Sequence, residues 1–226
     1  MNVVIIGANR GIGLGFVKHY LQQGCQVWAS HRQSLGGLAD IDEPALRRFQ
    51  WDVAAPHPEA VIVALGLPER IDLLINSGGI YGPKKNGQEL DEVTARAMQE
   101  VFMVDAVGPL MTVKALKGRV IQAGGRIANI SSKMGSCGDN TSGGTYAYRA
   151  AKAALVMISK SLAIDLAPDH IRVISLHPGW VRTDMTDHGG LIDIADSVAG
   201  MAQVIAAMEH YPAGALVGFD GQLIPY

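Results

Sequence analysis

Short runs of apolar, largely β-branched residues alternate along this chain with longer segments in which apolar side chains recur every three or four positions. The runs are typical of strands buried on both faces, and the longer period is typical of helices. About seven strands are predicted, at Asn2–Ile6, Gln26–Ser30, Leu46–Trp51, Ile71–Ile75, Arg126–Ile130, Ile171–Leu176 and Ala215–Gly218. Helices are predicted at Leu14–Gln23, Pro58–Leu65, Asp91–Val104, Thr145–Leu166 and Ile194–His210. The third of these is expected to continue to about Lys117, with a kink near Gly108-Pro109.

This alternation predicts an α/β fold, namely a single-domain, Rossmann-type, doubly wound parallel sheet with helices on both faces. The sequence shows no repeat, linker or second domain, so residues 1–226 are expected to form one domain. Ligands of such sheets bind beyond the carboxyl ends of the strands. The stretches that could carry chemistry all follow predicted strands: Gly7–Gly13, Asn76–Gly79, Ser131–Ser132 and Pro178–Gly179.

Composition narrows the range of partners and compartments. Charged residues make up 18% of the chain and the formal net charge is −2, which indicates neither a nucleic-acid nor a membrane-surface partner. The longest apolar runs are far shorter than a membrane span, and the first residues show no signal-peptide pattern, so we expect a cytoplasmic protein. Two cysteines, Cys25 and Cys137, form neither a disulfide framework nor a zinc site, and no metal is expected.

A glycine-rich turn between the first strand and the first helix is the candidate phosphate site. Gly7, Gly11 and Gly13, with Asn9 and Ile12 between them, lie where backbone N–H groups and a helix N-terminus hold a pyrophosphate. The alternative is a plain tight turn. The position in the first strand–helix connection favours a dinucleotide.

The end of the second strand indicates which dinucleotide. A carboxylate about 20 residues after the glycines would favour NAD, but this strand ends Ser30-His31-Arg32 without an acid. Arg32, with Arg10 from the glycine turn, could meet a 2′-phosphate through charge-assisted bonds, although each could instead be a solvated surface charge. The sequence therefore predicts NADP(H), with His31 beside it.

Two further strand ends would complete the nucleotide site. Asp52 ends the third strand, where its side chain could hydrogen-bond the adenine amino group, and Val53 follows it. Asn76, Ser77 and Gly78 end the fourth, where small residues let the backbone approach a cofactor.

The pair Tyr148 and Lys152 is the candidate acid–base unit. Residues four apart share one helix face, and an ammonium one turn away lowers the pKa of a phenol. Chance alone could supply such a pair, and an exposed lysine beside a core tyrosine is the alternative. The surrounding motifs decide between the two.

In order and spacing these motifs resemble those of the short-chain dehydrogenase/reductase family. The markers are Gly7-Ala8-Asn9-Arg10-Gly11-Ile12-Gly13, Asp52-Val53, Asn76-Ser77-Gly78-Gly79, Asn129-Ile130-Ser131-Ser132, Tyr148-x3-Lys152 and Pro178-Gly179. The short length, Ser132-Lys133-Met134-Gly135-Ser136 and Asp220–Tyr226 are most similar to the sniffer/C-factor type of carbonyl reductase.

The resemblance implies roles for the matching positions. Tyr148 would exchange a proton with the substrate oxygen, Lys152 would lower the pKa of Tyr148 and bind the nicotinamide ribose, and Ser132 would hold the carbonyl oxygen. Val181 and Thr183, after Pro178-Gly179, would contact the nicotinamide carboxamide. The glycine turn, Asp52, Val53 and Asn76 would hold the rest of the cofactor.

Three positions depart from the family pattern. Ile6 stands where the family usually has Thr, so one hydrogen bond bracing the turn is expected to be missing. Ser77-Gly78 replaces the usual Asn-Ala. Asp105 replaces the catalytic Asn that supports a proton relay to the lysine; a carboxylate there could preserve the geometry and favour the ammonium form of Lys152, or could be structural.

The predicted reaction is hydride transfer between NADP(H) and a carbonyl or alcohol, with small hydrophobic aldehydes or ketones as expected substrates. The expected pocket wall is apolar and aromatic, comprising Tyr81, Met134, Cys137, Tyr146, Trp180 and Met185. Cys137 is expected to line this pocket rather than act as a nucleophile, and His177 to be a packed strand-end residue. Few residues follow Thr183 for a lid, so the cleft should be open.

Two expectations concern protein partners. The outer face of the Tyr148–Leu166 helix is apolar, which favours a homodimer or homotetramer, although packing on the sheet is the alternative. The C-factor resemblance also leaves open a signalling or sensor protein whose NADP(H) occupancy controls contact with a protein partner. Retention of Ser132, Tyr148 and Lys152 favours the enzyme.

Overall fold

The computed structural model describes residues 1–57 and 59–226, and the strands that it describes form one eight-stranded sheet. Their bounds are β1 at Asn2–Ile6, β2 at Gln26–His31, β3 at Leu46–Gln50, β4 at Leu73–Asn76, β5 at Arg126–Ile130, β6 at Arg172–His177, β7 at Leu216–Gly218 and β8 at Leu223–Ile224. The order across the sheet is β3-β2-β1-β4-β5-β6-β7-β8. All neighbours pair in parallel except β8, which is antiparallel to β7.

The predicted α/β doubly wound sheet is confirmed, and so are its seven strands, within two residues at each end. The eighth strand was not predicted. It consists of only two residues, which turn back onto β7 through a bend at Asp220 and Gly221, and two residues are too few to show a period.

Helices cover both faces of the sheet and bury its alternating side chains. Val3 and Ile5 of β1 pack in a core that includes helices α1 (Gly11–Gln22) and α6 (Ile194–Ala206). Val4 and Ile6 point to the opposite core, which includes α2 (Glu59–Ala64), α4 (Gly108–Ala123) and the end of α5 (Tyr146–Asp165). Burial on both faces explains why β1 and β4 are almost uninterrupted apolar runs.

The helix predicted to start at Asp91 was wrong at its beginning. Helix α3 spans Ala95–Phe102 and starts later because the Thr94 side chain caps it, accepting a hydrogen bond of 3.1 Å from Ala97 N–H.

The predicted kink is present one turn earlier than expected. Met103–Val107 form a π-helical turn, and α4 then continues to Ala123 instead of ending near Lys117. Pro109 lacks an N–H and so interrupts the α-helical hydrogen bonds at this point, which accommodates the wider turn.

The other helix predictions are confirmed apart from their ends. Helix α1 starts three residues before the predicted Leu14, and a separate 3-10 turn at Met208–His210 follows α6. The predicted start of α2 at Pro58 lies outside the described residues. None of the described helices is both long and apolar enough to cross a membrane.

The reversal of strand order between β1 and β4 positions the site. The turns that follow these two strands touch: a side-chain carbon added at Gly7 would lie 2.4 Å from the Gly78 Cα. The carboxyl ends of β5 and β6 lie along the same edge. A crevice at this point of reversal is where open α/β sheets bind ligands.

Candidate active site

Four buried polar side chains meet at the edge of the sheet beyond β4 and β5. Tyr148 and Lys152 occupy successive turns of α5, with the Lys152 Nζ 5.5 Å from the Tyr148 ring centroid. Ser132 follows β5, and Asp105 lies in the π-helical turn. Tyr148 is 8% exposed, Ser132 7%, Lys152 4% and Asp105 0%. The structure therefore brings together the four side chains that were predicted to be catalytic.

Lys152 is held by a carboxylate and a carbonyl. Its Nζ lies 3.0 Å from the Asp105 Oδ2 and donates a hydrogen bond of 3.1 Å to the main-chain oxygen of Ile130. The other Asp105 oxygen, Oδ1, accepts a hydrogen bond of 2.8 Å from the Ile80 N–H. Among the described residues, the Asp105 Oδ2 has no other partner than the Lys152 ammonium.

The charges around Tyr148 act in opposite directions. Burial has the largest effect and raises the pKa of Tyr148. The Lys152 ammonium and a hydrogen bond with Ser132 lower this pKa, and Asp105 raises it. The net pKa lies above the ordinary value of a tyrosine. Burial would lower the pKa of Lys152, but attraction to Asp105 and Tyr148 raises it above its ordinary value. At neutral pH the pair is therefore a phenol and an ammonium.

A buried glutamine positions the first turn of α5. The Gln88 Oε1 accepts a hydrogen bond of 2.9 Å from Tyr148 N–H, and the Gln88 main-chain oxygen accepts one of 3.1 Å from Tyr146 N–H. Its Nε2 donates to the oxygens of Tyr81 and Pro83. Thr145 precedes the helix in a left-handed conformation and supplies no side-chain cap, so Gln88 replaces it. Sequence reasoning missed Gln88, which has no periodic signal in its loop.

Ser131 and Gly135, which follow β5, bring the catalytic helix, α5, close to the sheet. The Ser131 hydroxyl donates a hydrogen bond of 3.1 Å to the main-chain oxygen of Lys152. At Gly135, a side-chain carbon would lie 2.6 Å from the main-chain carbon of the same lysine. The Ser132 Oγ accepts a hydrogen bond from Met134 N–H, which leaves the hydroxyl hydrogen of Ser132 able to donate to a substrate.

The glycine turn fits a pyrophosphate. Gly7 has φ +76°, and a side-chain carbon at Gly13 would lie 2.1 Å from the Gly7 oxygen. Helix α1 begins at Gly11 with no side-chain cap at Arg10 and no acid in its first turn. Its first N–H groups are therefore left for an anion. Asn9 and Ile12 lie within this turn, and Ile12 packs against the core.

A hydrogen bond braces the glycine turn in spite of Ile6. The Gly7 N–H donates to the Ser30 Oγ at 2.9 Å, and the Ala8 N–H donates to the Ser30 main-chain oxygen at 2.8 Å. The isoleucine side chain at position 6 makes no hydrogen bond, as expected, and a serine of the neighbouring strand braces the turn. Sequence reasoning placed Ser30 at the strand end but did not assign this role.

The residues expected to read the 2′-phosphate lie at the end of β2 and in the glycine turn. Arg32 is exposed, and its main-chain oxygen accepts a hydrogen bond from the Gln50 amide. Arg10 is exposed and forms an ion pair of 3.2 Å with Asp184. The His31 Nδ1 is buried without a hydrogen-bond partner among the described residues.

The remaining nucleotide residues also lie along this edge. Asp52 is half-buried after β3 and its Oδ1 accepts from Ala54 N–H, while Val53 abuts the start of α4. The Asn76 amide donates to the Asn129 Oδ1 at 2.8 Å, which orients it, and the Asn76 Oδ1 has no described partner. The Ser77 N–H donates to the Ile6 oxygen.

The segment after β6 reaches over the glycine turn. Pro178 is tied to α6 by a hydrogen bond from the Ser197 hydroxyl to its oxygen, and Gly179 has φ +83°. Val181 is buried. The Thr183 Cγ2 would lie 3.7 Å from a side-chain carbon at Gly11, so the segment lies against the turn.

Part of the expected pocket wall lies at the cluster. The Tyr81 ring centroid is 5.1 Å from that of Tyr148, and Tyr81 and Met134 pack against the apolar residues around it. The other expected members are exposed: Cys137, Tyr146, Trp180 and Met185. Their role in binding stays a prediction. His177 is half-buried, and burial lowers its pKa to about 4, as suits a packed strand-end residue.

Comparison with known proteins supports this arrangement. A family model described as short chain dehydrogenase matches residues 1–190. C-signal of Myxococcus xanthus is 37% identical over 157 residues, which cover 69% of this chain and 93% of that protein.

Solved structures of carbonyl reductases are similar over the whole chain. Carbonyl reductase Sniffer of D. melanogaster superposes with a TM-score of 0.91 at 29% identity, covering 100% of this chain and 99% of that one. NADPH-bound carbonyl reductase from chicken fatty liver gives a TM-score of 0.88 at 30% identity, covering 100% and 94%. With the family model spanning most of the chain, this protein belongs to the short-chain dehydrogenase/reductase family of oxidoreductases.

Proposed function

We propose that this chain is an NADP(H)-dependent carbonyl reductase that reduces hydrophobic aldehydes or ketones, with residues 1–226 forming one cofactor-binding domain. One observation carries the proposal. Ser132, Tyr148 and Lys152 are buried together at the same sheet edge as the uncapped glycine turn, so a proton donor adjoins a nucleotide site.

The residues present fit the cofactor. Side-chain carbons at Gly7 and Gly13 would clash with the backbone, and the turn offers free helix N–H groups to a pyrophosphate. Arg10 and Arg32, with no acid at the end of β2, suit a 2′-phosphate. The similar chicken and Pseudomonas aeruginosa carbonyl reductases bind NADPH and NADP. When bound, this cofactor supplies the hydride that reduces the carbonyl carbon.

The protein's own residues handle the proton and the developing negative charge. Tyr148, a phenol at neutral pH, donates its proton to the carbonyl oxygen as the carbon is reduced. The Ser132 hydroxyl donates a hydrogen bond to the same oxygen. Lys152 stays charged through its contact with Asp105 and favours loss of the phenolic proton at the moment of transfer.

Apolar side chains at the cluster and an exposed tryptophan near it support an open, apolar substrate side. Tyr81 and Met134 pack at the buried cluster, and Trp180 is 55% exposed. An apolar, open cleft favours hydrophobic carbonyl compounds and broad specificity.

Oxidation of NADPH over a panel of aldehydes and ketones tests the proposal. Tyr148→Phe should abolish turnover and leave NADPH affinity nearly unchanged; an active variant would refute the acid–base assignment. Arg32→Ala should weaken NADPH binding much more than NADH binding, and equal effects would refute the cofactor assignment. Tight NADPH binding without turnover on any carbonyl compound would exclude the reductase.

The similarity to C-signal favours a second candidate, a signalling protein in which cofactor occupancy controls contact with a partner. Both functions need the nucleotide site, but only the enzyme needs Ser132, Tyr148 and Lys152 together. A signalling role is supported if Tyr148→Phe keeps partner binding and its response to NADPH. A homo-oligomeric, cytoplasmic enzyme remains a prediction of the sequence.

A further inference from the structure

The buried Asp105 carboxylate is a feature that proton donation by Tyr148 does not itself require. We propose that Asp105 is a positioning residue, which keeps Tyr148 protonated by pairing with the Lys152 ammonium. Compared with a protein that has a neutral side chain at position 105, carbonyl reduction then continues to higher pH. Alcohol oxidation likewise begins at higher pH. The inference rests on the proposed function, because it concerns the pH limits of that reaction.

The geometry commits this carboxylate to the lysine. Asp105 is fully buried, and its Oδ2 lies 3.0 Å from the Lys152 Nζ. Its Oδ1 is fixed by the Ile80 N–H. The chain passes close beside this pair at Gly79, where a side-chain carbon would lie 3.3 Å from Oδ2 and 3.4 Å from Nζ. The carboxylate therefore cannot turn away from the ammonium without losing the Ile80 bond.

The charged and titratable groups that influence Tyr148 lie on its own helix and on three neighbouring segments. Lys152 lies on its own helix, Asp105 in the π-helical turn, Ser132 after β5 and Tyr81 after β4. Among the described residues that influence the phenol, Lys152 is the positive charge and Asp105 the negative one. A neutral residue at position 105 would leave the ammonium uncompensated, and an uncompensated ammonium favours the phenolate.

The two directions of the reaction need opposite forms of Tyr148. In reduction the O–H bond of Tyr148 breaks and a new O–H bond forms on the substrate oxygen, so the phenol is required. In oxidation the phenolate takes the proton of the alcohol. Reduction therefore falls, and oxidation rises, as pH increases through the pKa of Tyr148. Asp105 shifts the pH at which reduction falls and the pH at which oxidation rises, without changing the overall equilibrium between carbonyl and alcohol.

The test compares the wild type with Asp105→Asn, in which an amide of the same shape can still accept from Ile80 N–H. We expect the alkaline limb of kcat/KM for reduction, and the rising limb for oxidation, to move to lower pH by about one unit or more. Glu100→Gln, the same chemical change at an exposed position of α3, is the matched control and should leave both limbs in place. Limbs that coincide in wild type and Asp105→Asn would overturn the inference.

A second measurement does not depend on turnover. The tyrosinate absorbance of each protein is titrated from about pH 6 to the highest pH at which it stays folded, and the same titration of that protein with Tyr148→Phe is subtracted to isolate Tyr148. Ionisation of Tyr148 at lower pH in Asp105→Asn than in the wild type supports the inference. This holds even if the wild type reduces no carbonyl compound, a result that would refute only the proposed function. Unchanged ionisation overturns it. If Asp105→Asn does not fold, Asp105→Ser is titrated in its place and judged by the same outcomes.

Discussion

Replacement of Gln88 by alanine should loosen the catalytic helix at its first turn. Gln88 is 2% exposed, although it belongs to a loop, and its side chain makes three hydrogen bonds to main-chain groups. One of these groups is Tyr148 N–H, which has no other acceptor in the helix because it lies in the first turn. The effect should therefore reach both stability and catalysis.

The magnitude follows from the three bonds. The buried N–H of Tyr148 would lose its acceptor at a cost of about 1–3 kcal/mol, and the partly buried oxygens of Tyr81 and Pro83 would each lose a donor worth about 1 kcal/mol, partly offset by water. We expect the free energy of unfolding to fall by about 2–4 kcal/mol. A shift of Tyr148 by a fraction of an ångström should also lower kcat, by roughly ten- to a hundredfold.

Urea unfolding followed by tryptophan fluorescence measures the first effect, and steady-state kinetics the second. Gln203→Ala, at an exposed position of α6, is the matched control and should change the free energy of unfolding by less than about 0.5 kcal/mol. Gln88→Glu keeps the acceptor for Tyr148 N–H but loses both donors, so it should retain more kcat than Gln88→Ala. A Gln88→Ala protein with the stability and kcat of the wild type would show that Gln88 does not cap the catalytic helix.

Three further predictions concern the surroundings of the site. Ser30→Ala removes the hydroxyl that braces the glycine turn, so the free energy of unfolding should fall by about 1 kcal/mol. NADPH should also bind more weakly, as measured by fluorescence titration, and unchanged binding would show that the brace is dispensable. Gly135→Ala places a carbon 2.6 Å from the main chain of Lys152, so kcat should fall, and wild-type kcat would contradict this close approach. Asp184→Asn releases Arg10 from its ion pair, so calorimetry should show tighter NADPH binding, and weaker binding would mean that the pair itself holds the site together.

The sequence was sufficient for the parts of the fold that depend on local pattern. Val3-Val4-Ile5-Ile6 is apolar throughout because α1 covers one face of β1 and α4 the other, and such runs are visible without a structure. Tyr148 and Lys152 were predictable because four residues make one turn of a helix. The two-residue strand β8 was not predictable, since its pairing with β7 depends on the path of the chain.

The contacts between distant segments could not be read from the sequence. Gln88 bonds to Tyr148 across 60 residues, and Ser30 bonds to Gly7 across 23. Neither residue type is unusual in a loop or at a strand end, so no local signal marks it. For Asp105 the resemblance supplied the position, but its direct contact with Lys152 follows from packing of the π-helical turn against α5.

The π-helical turn at 103–107 holds one residue more than an α-helical turn would. The wide turn absorbs this residue, so α3 and α4 keep the register of one continuous helix, with the face of α3 that carries Val101 and the face of α4 that covers the sheet both buried. Each residue of an α-helix rotates the chain by about 100°, so a deletion within α3 or α4 would turn one of these faces out of its core. Loss of one residue at 103–107 would instead leave a regular helix in the same register and would move Asp105. Lineages of this protein should therefore differ in length at 103–107 more readily than elsewhere between Ala95 and Ala123.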